Sequence, residues 1–195
     1  MAGGCQTGQV PPPDLLTPGA ADASVRPARS ADAAAIAAVQ ERAWRLAYAG
    51  LMPDERLRRL TAEQLRPRWT DAVTRPPSAR HGVLVACSGS VVVGFAATAP
   101  CADPDAGPAD AELIALEVDP AHQRSGHASR LLSAAASTVR EAGFATLRVW
   151  CPVDDQPRRA FLMSAGLRPD GAHRGMRGDG GRQVAEERLA AALPS

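Results

Sequence analysis

An apolar run from Glu112 to Val118 ends at Asp119-Pro120, and a stretch of helical character, about 126 to 142, begins only a few residues later. A buried strand that passes so directly into a helix restricts the chain to an α/β arrangement. The connecting turn carries no bulk at Gly126 and Ala128. The first N–H groups of a helix have no internal partner and carry the positive end of its dipole. Small residues there let a phosphate approach the bare backbone, with Arg124 and Arg130 adding charge at the rim. The plainer reading is that Gly126 only permits a tight turn.

The rest of the chain alternates between two periods. Residues 1–23 are rich in Gly, Pro and Ala, lack periodicity, and are expected to be a disordered tail. A short strand is predicted over Ser24 to Ala28, and a helix from Ser30 with Ile36, Val39, Ala43, Trp44 and Ala47 at helical spacing. A second helix is expected over about 54–74, presenting Leu57, Leu60, Leu65 and Trp69 and bent at Pro67. After Pro76-Pro77 the pattern turns extended. Val83–Cys87 and Val91–Ala96 flank Ser88-Gly89-Ser90 and read as a hairpin. Beyond the helix that stops at Gly143, the pattern predicts a strand over Ala145–Cys151, a helix over Asp155–Ala165, and a hairpin turning at Asp179-Gly180-Gly181. The order β-α-α-β-β-β-α-β-α-β-β describes one mixed α/β domain over 24–192.

Charge and composition narrow the function. Twenty-two basic against 21 acidic residues leave a net charge of +1, without the basic excess of a nucleic-acid or anionic-membrane binder. No apolar run approaches the roughly 18–20 residues that span a bilayer, and no secretory signal is visible, so a cytoplasmic protein is expected. Every basic residue is Arg, which excludes mechanisms that need a Lys, such as a Schiff base or a P-loop. Cys5, Cys87, Cys101 and Cys151 are too widely spaced to suggest a metal site or a disulfide framework.

Gln123-Arg124-Ser125-Gly126-His127-Ala128 resembles the (Q/R)-x-x-G-x-(G/A) pyrophosphate-binding pattern of the GNAT superfamily of acyl-CoA-dependent N-acetyltransferases. Leu116-Glu117-Val118-Asp119-Pro120 is similar to the V-x-P end of that family's central strand, and Leu131-Leu132 to its helical Leu pair. Asp155 through Gly166-Leu167 resembles its N-x-x-A-x-x-F-Y-x-x-x-G-F segment. The resemblance covers roughly 24–190. It implies a mixed, mostly antiparallel central sheet with splayed middle strands and about four helices. It also implies acetyl-CoA as acyl donor, with no metal. By position, the backbone of Leu116 and Val118 would hold the pantetheine and the thioester carbonyl. The amides of Gln123, Arg124, Ser125, Gly126, His127, Ala128 and Ser129 would hold the pyrophosphate, and Asp155 and Phe161 would complete the cofactor site. Asp155 stands where the family has Asn. Leu162 replaces the Tyr that would protonate the departing thiolate.

The implied reaction moves an acetyl group to a primary amine of a small molecule or peptide. An amine with a pKa near 10 must lose a proton before it attacks, so a base is needed. Backbone donors suit the oxyanion, and a thiolate with a pKa of roughly 8.5 leaves without a strong acid. Glu112 stands where several family members place the base; Glu117, five residues on, is expected on the opposite face of a regular strand. Either carboxylate is otherwise a structural group. Trp44 and Tyr48 resemble the aromatic wall of an acceptor pocket, with core packing as the alternative. His127 is expected to be solvated, Cys151 to be a buried thiol, and Trp150 to be core or pantetheine wall. A non-catalytic acyl-CoA-binding module is the competing function, motivated by Leu162. Neither the acceptor nor the oligomeric state is legible.

Overall fold

The structure, a computed structural model, describes residues 23–47, 49, 54–177 and 183–194. Residues 1–22 of the expected tail, Tyr48 and the turn at Asp179-Gly180-Gly181 lie outside the described residues, while Ala23, counted in that tail, pairs with Ser88 as the first residue of a strand. Seven strands form one sheet in the order β1-β2-β3-β4-β5-β7-β6. They are β1 Ala23–Pro27, β2 Gly82–Ser88, β3 Val91–Pro100, β4 Asp110–Val118, β5 Thr146–Pro152, β6 Arg168–Arg177 and β7 Gln183–Ala192. All neighbours pair antiparallel except β4 and β5, which run parallel.

Five α-helices accompany them among the described residues: α1 Ala33–Ala47, α2 Asp54–Arg59, α3 Ala62–Thr74, α4 His127–Glu141 and α5 Gln156–Ser164. The single helix expected over 54–74 is therefore two. Thr61 adopts extended backbone and its hydroxyl accepts the Gln64 N–H, while the Glu41 carboxylate accepts the Ala62 N–H at 2.6 Å. Those two acceptors start a new helix where periodicity alone continued the old one. Pro67 lies inside α3 without ending it.

Each face of the sheet has its own core. Ala111, Leu113, Leu116 and Val118 of β4 join Leu131, Leu132, Ala135 and Val139 of α4, Leu147, Val149 and Cys151 of β5, and Leu162 of α5. On the other face Val85, Phe95 and Ala97 pack under Ile36, Ala37 and Val39 of α1 and Leu65 and Trp69 of α3. The Trp69 indole meets Phe95 edge-on at 4.8 Å and donates to buried Gln40 at 2.7 Å. Burying the polar N–H with a partner avoids the roughly 1–3 kcal/mol cost of leaving it unsatisfied. Gly94 is small because a Cβ there would stand 2.9 Å from the Glu117 carbonyl and 3.1 Å from Leu131, so its absence lets α4 lie close on β3. Leu162, where the family resemblance would place Tyr, is fully buried in the first core. Among the described residues no helix is long and apolar enough to cross a membrane.

Two details of β4 set up everything that follows. Its parallel register with β5 comprises only Asp110↔Thr146, Ala111↔Leu147 and Glu112↔Arg148, so the two strands part beyond Glu112. Its register with β3 slips by one between Leu113 and Ala115, leaving Ile114 as a bulge, 54% exposed. A bulge inserts one residue and resets which face follows.

Candidate active site

The cleft opened by the parting strands is lined by backbone. Asp119 N–H donates to the Val93 carbonyl at 2.8 Å. Hydrogen-bonded and non-bonded positions alternate along an antiparallel pair, so Leu116 and Val118 turn their N–H and C=O away from β3, towards the gap facing β5. Their side chains stay buried in the α4 core.

At the end of β4 the chain turns through Pro120–His122, a short 3-10 turn whose first N–H groups are capped by Asp119. Asp119 accepts from Ala121 N–H at 3.0 Å and is anchored by Arg42 of α1 at 2.6 Å. Arg124 and Gly126 then adopt left-handed backbone, with φ of 63° and 78°. Gly126 is the N-cap of α4, and no side chain caps the helix there. Its N-terminal N–H groups are left to an outside acceptor, as an anion site requires. Gln123, Arg124, Ser125, Gly126 and Ser129 are exposed around this turn, while Ala128 is half-buried against the core. Arg130 folds back to donate to the Ser125 carbonyl at 3.0 Å. A Cβ on Gly126 would come within 3.1 Å of its guanidinium.

His127 corrects the sequence reading: it is buried, at 5% exposure, instead of solvated. The Cβ of a first-turn residue leans towards the helix N-terminus. Burial and the nearby Arg130 and His122 charges lower its pKa.

Glu112 and Glu117 also differ from expectation. An odd spacing on a regular strand puts them on opposite faces, but the Ile114 bulge returns Glu117 to the face of Glu112. Glu117 pairs with Phe95, and Glu112 with Ala99, so both point to the α1 and α3 side of the sheet. Glu117 lies 3.6 Å from Arg158 of α5. Burial pushes its carboxyl up in pKa, opposed by the Arg158 charge and by a hydrogen bond with Trp44. Trp44 therefore stands at the site, beside Glu117. Asp155 accepts the Arg158 N–H at 3.0 Å as the N-cap of α5, and Phe161 packs half-buried against the core one turn on.

Glu112 lies at the crotch of the cleft, the last β4 residue to pair with β5. Its carboxylate makes no ion pair or hydrogen bond among the described residues, although three arginines stand near. Arg148 is engaged by Asp110 at 2.8 Å, and Arg174 by Glu186 at 2.7 Å. Arg188, 5% exposed, is engaged by Asp105, Asp170 and Asp103 at 2.6–2.9 Å. Burial, helped by the Asp103 and Glu186 charges, raises the Glu112 pKa against the opposing charges of Arg174 and Arg188.

Trp150 stands in this same wall: its N–H donates to Asp103 at 3.2 Å, and Arg174 stacks over its ring at 4.3 Å. Sequence reasoning missed Arg158, Arg174 and Arg188, because arginine is everywhere in this chain and no spacing marks those three. Arg188→Ala is expected to cost about 3 kcal/mol, since it strands three carboxylates round a vacated site. Urea denaturation measures this, and an unchanged midpoint would show that the aspartates do not depend on the arginine.

The profile of the Acetyltransferase (GNAT) family matches residues 39–167. Among solved structures, the chain is similar to a ribosomal-protein-alanine N-acetyltransferase from Brucella melitensis, with 22% identity, a TM-score of 0.67, and 87% of this chain and 99% of that one covered. It is similar to the PaiA N-acetyltransferase of Thermoplasma acidophilum in complex with coenzyme A, at 17% identity, TM-score 0.65, covering 87% and 98%. It is likewise similar to yncA of Salmonella typhimurium with its cofactor acetyl-CoA, at 21% identity, TM-score 0.62, covering 89% and 95%. Among functionally curated proteins, none matches this sequence significantly.

Proposed function

The chain belongs to the GNAT acetyltransferase family, and from that premise we propose that it moves the acetyl group of acetyl-CoA to a primary amine, with Glu112 as the general base. The observation that carries the reading is the cleft itself. β4 and β5 part beyond Glu112, and the opening ends at a helix start stripped of side chain at Gly126. Similar folds are known with coenzyme A and acetyl-CoA.

The residues present fit such a ligand. The uncapped turn at Gly126 leaves backbone N–H groups for a pyrophosphate, and Leu116 and Val118 offer strand-like backbone to an extended amide-bearing arm. Gln123 to Ser129, Asp155 and Phe161 would hold the cofactor around that arm. Acetyl-CoA supplies an activated thioester carbonyl and a thiolate leaving group. The chain supplies the base: Glu112 sits on the opposite side of the sheet from α4 and α5, without a counter-ion of its own. A raised carboxyl pKa makes it a better proton acceptor from an ammonium group. Leu162 donates nothing, so the thiolate leaves unaided or through water.

The acceptor is a small-molecule or peptide amine that approaches past Trp44. No nucleic acid, membrane or metal enters the proposed reaction. The domain is assigned to 24–192. A thiol-release assay over polyamines, aminoglycosides, amino acids and peptide N-termini tests the reading. Acceptor-dependent thiol release is the expected result. Tight acetyl-CoA binding with no turnover on any amine would instead support the acyl-CoA-binding module.

A further inference from the structure

The Glu117–Arg158 ion pair is in an unusual place. Glu117 projects to the α1 and α3 face of the sheet, opposite Phe95. Arg158 stands on α5, whose Phe161, Leu162 and Met163 pack into the core on the other face. Glu117 lies near the end of β4 and Arg158 on the helix that follows β5, so their contact at 3.6 Å spans the opening where the two strands have parted beyond Glu112. The Cys151 thiol, on β5, feels the charges of Arg158 and Asp155, while the Glu117 carboxylate, on β4, feels the same two. The pair thus joins the two sides of the cleft, five residues along β4 from its last register pair with β5.

We propose that this ion pair is a latch across the cleft, closed in the free protein and broken when an acyl-CoA arm enters. The inference rests on the acyl-CoA reading above and adds a regulation to it. The closed pair holds the two strand ends together and spares Glu117 an uncompensated buried charge. Opening it subtracts from the binding free energy, so cofactor affinity is lower than the cleft alone would give. Glu117 also hydrogen-bonds Trp44, so breaking its pair with Arg158 leaves an uncompensated carboxylate beside Trp44 and changes the charge on the acceptor side. A half-buried pair of this geometry has a modest strength, equivalent to a several-fold change in affinity.

Calorimetric titration of acetyl-CoA into the full chain tests the latch through two variants, Glu117→Gln and Arg158→Gln. Each abolishes the ion pair, so both are expected to bind acetyl-CoA roughly three- to tenfold more tightly than wild type. General electrostatics predicts opposite signs, because the ligand is an anion: losing Glu117 would then tighten binding and losing Arg158 would weaken it. Weaker binding by Arg158→Gln overturns the latch and makes Arg158 a cofactor ligand. Unchanged affinity in both variants also overturns it, since the arm would then pass without disturbing the pair. Melting curves confirm that both variants are folded before titration. If the wild type itself fails to bind acetyl-CoA, the acyl-CoA reading has failed and not merely the latch.

Discussion

Gly126→Glu is expected to abolish measurable acetyl-CoA binding while leaving the protein folded. Three effects act together at this residue. The backbone sits at φ 78°, where a side chain costs about 1–2 kcal/mol. A Cβ meets the Arg130 guanidinium at 3.1 Å, which a flexible side chain accommodates. The decisive effect is the third: a carboxylate is placed at the helix start where the pyrophosphate would bind. That replaces attraction by the helix N-terminus with repulsion between like charges. Gly126→Ala separates these effects, because it carries the backbone strain without the charge. It is expected to lose about 1 kcal/mol of stability and to retain weakened binding. A folded Glu variant with wild-type affinity by calorimetry would show that the cofactor does not use this turn.

Glu112→Gln is expected to lower kcat/KM by roughly 10²-fold or more, the usual worth of a positioned base. The variant keeps the shape of the side chain and loses only its ability to take a proton. The pH profile carries the diagnosis. In the wild type, activity rises as Glu112 ionises, and burial with the Asp103 and Glu186 charges moves that rise above the ordinary Glu range. In the variant the rise is carried by the acceptor amine itself, so the deficit shrinks towards alkaline pH. Stability moves the other way. A carboxyl whose pKa is higher folded than unfolded disfavours the fold once pH exceeds the unfolded value, because the native state must then give up a proton it holds more tightly. At neutral pH the Gln variant is therefore expected to melt no lower than wild type. A full-speed Glu112→Gln enzyme would remove Glu112 from the mechanism.

Local pattern alone made the element order legible, because apolar periodicity and turn residues act within a few residues. The strand ending at Val118-Asp119-Pro120, the turn at Gly126, the helix after it and the helix beginning beside Asp155 all appear where the pattern puts them. The family resemblance rested on that same stretch. The chain was misread wherever a distant residue decides. Glu41, on α1, accepts the Ala62 N–H and helps divide the helix expected over 54–74. His127 reads as solvated from its place in the first helical turn, yet the folded chain buries it.

For the catalytic candidates the gap is larger. Sequence spacing put Glu112 and Glu117 on opposite faces, since a strand alternates strictly when its register is regular. The bulge at Ile114 exists only in the pairing of β4 with β3, and it turns both carboxylates to one side. Their chemical difference is tertiary too. Arg158 reaches Glu117 across the cleft from α5, whereas the arginines nearest Glu112 are held by Asp105, Asp110, Asp170 and Glu186 from other strands and loops. The sequence by itself determined the order of strands and helices and the backbone turn suited to an anion, because those follow from neighbours along the chain. Only the tertiary structure decided which carboxylate is left without a counter-ion, because the strength of a charge depends on what surrounds it in space.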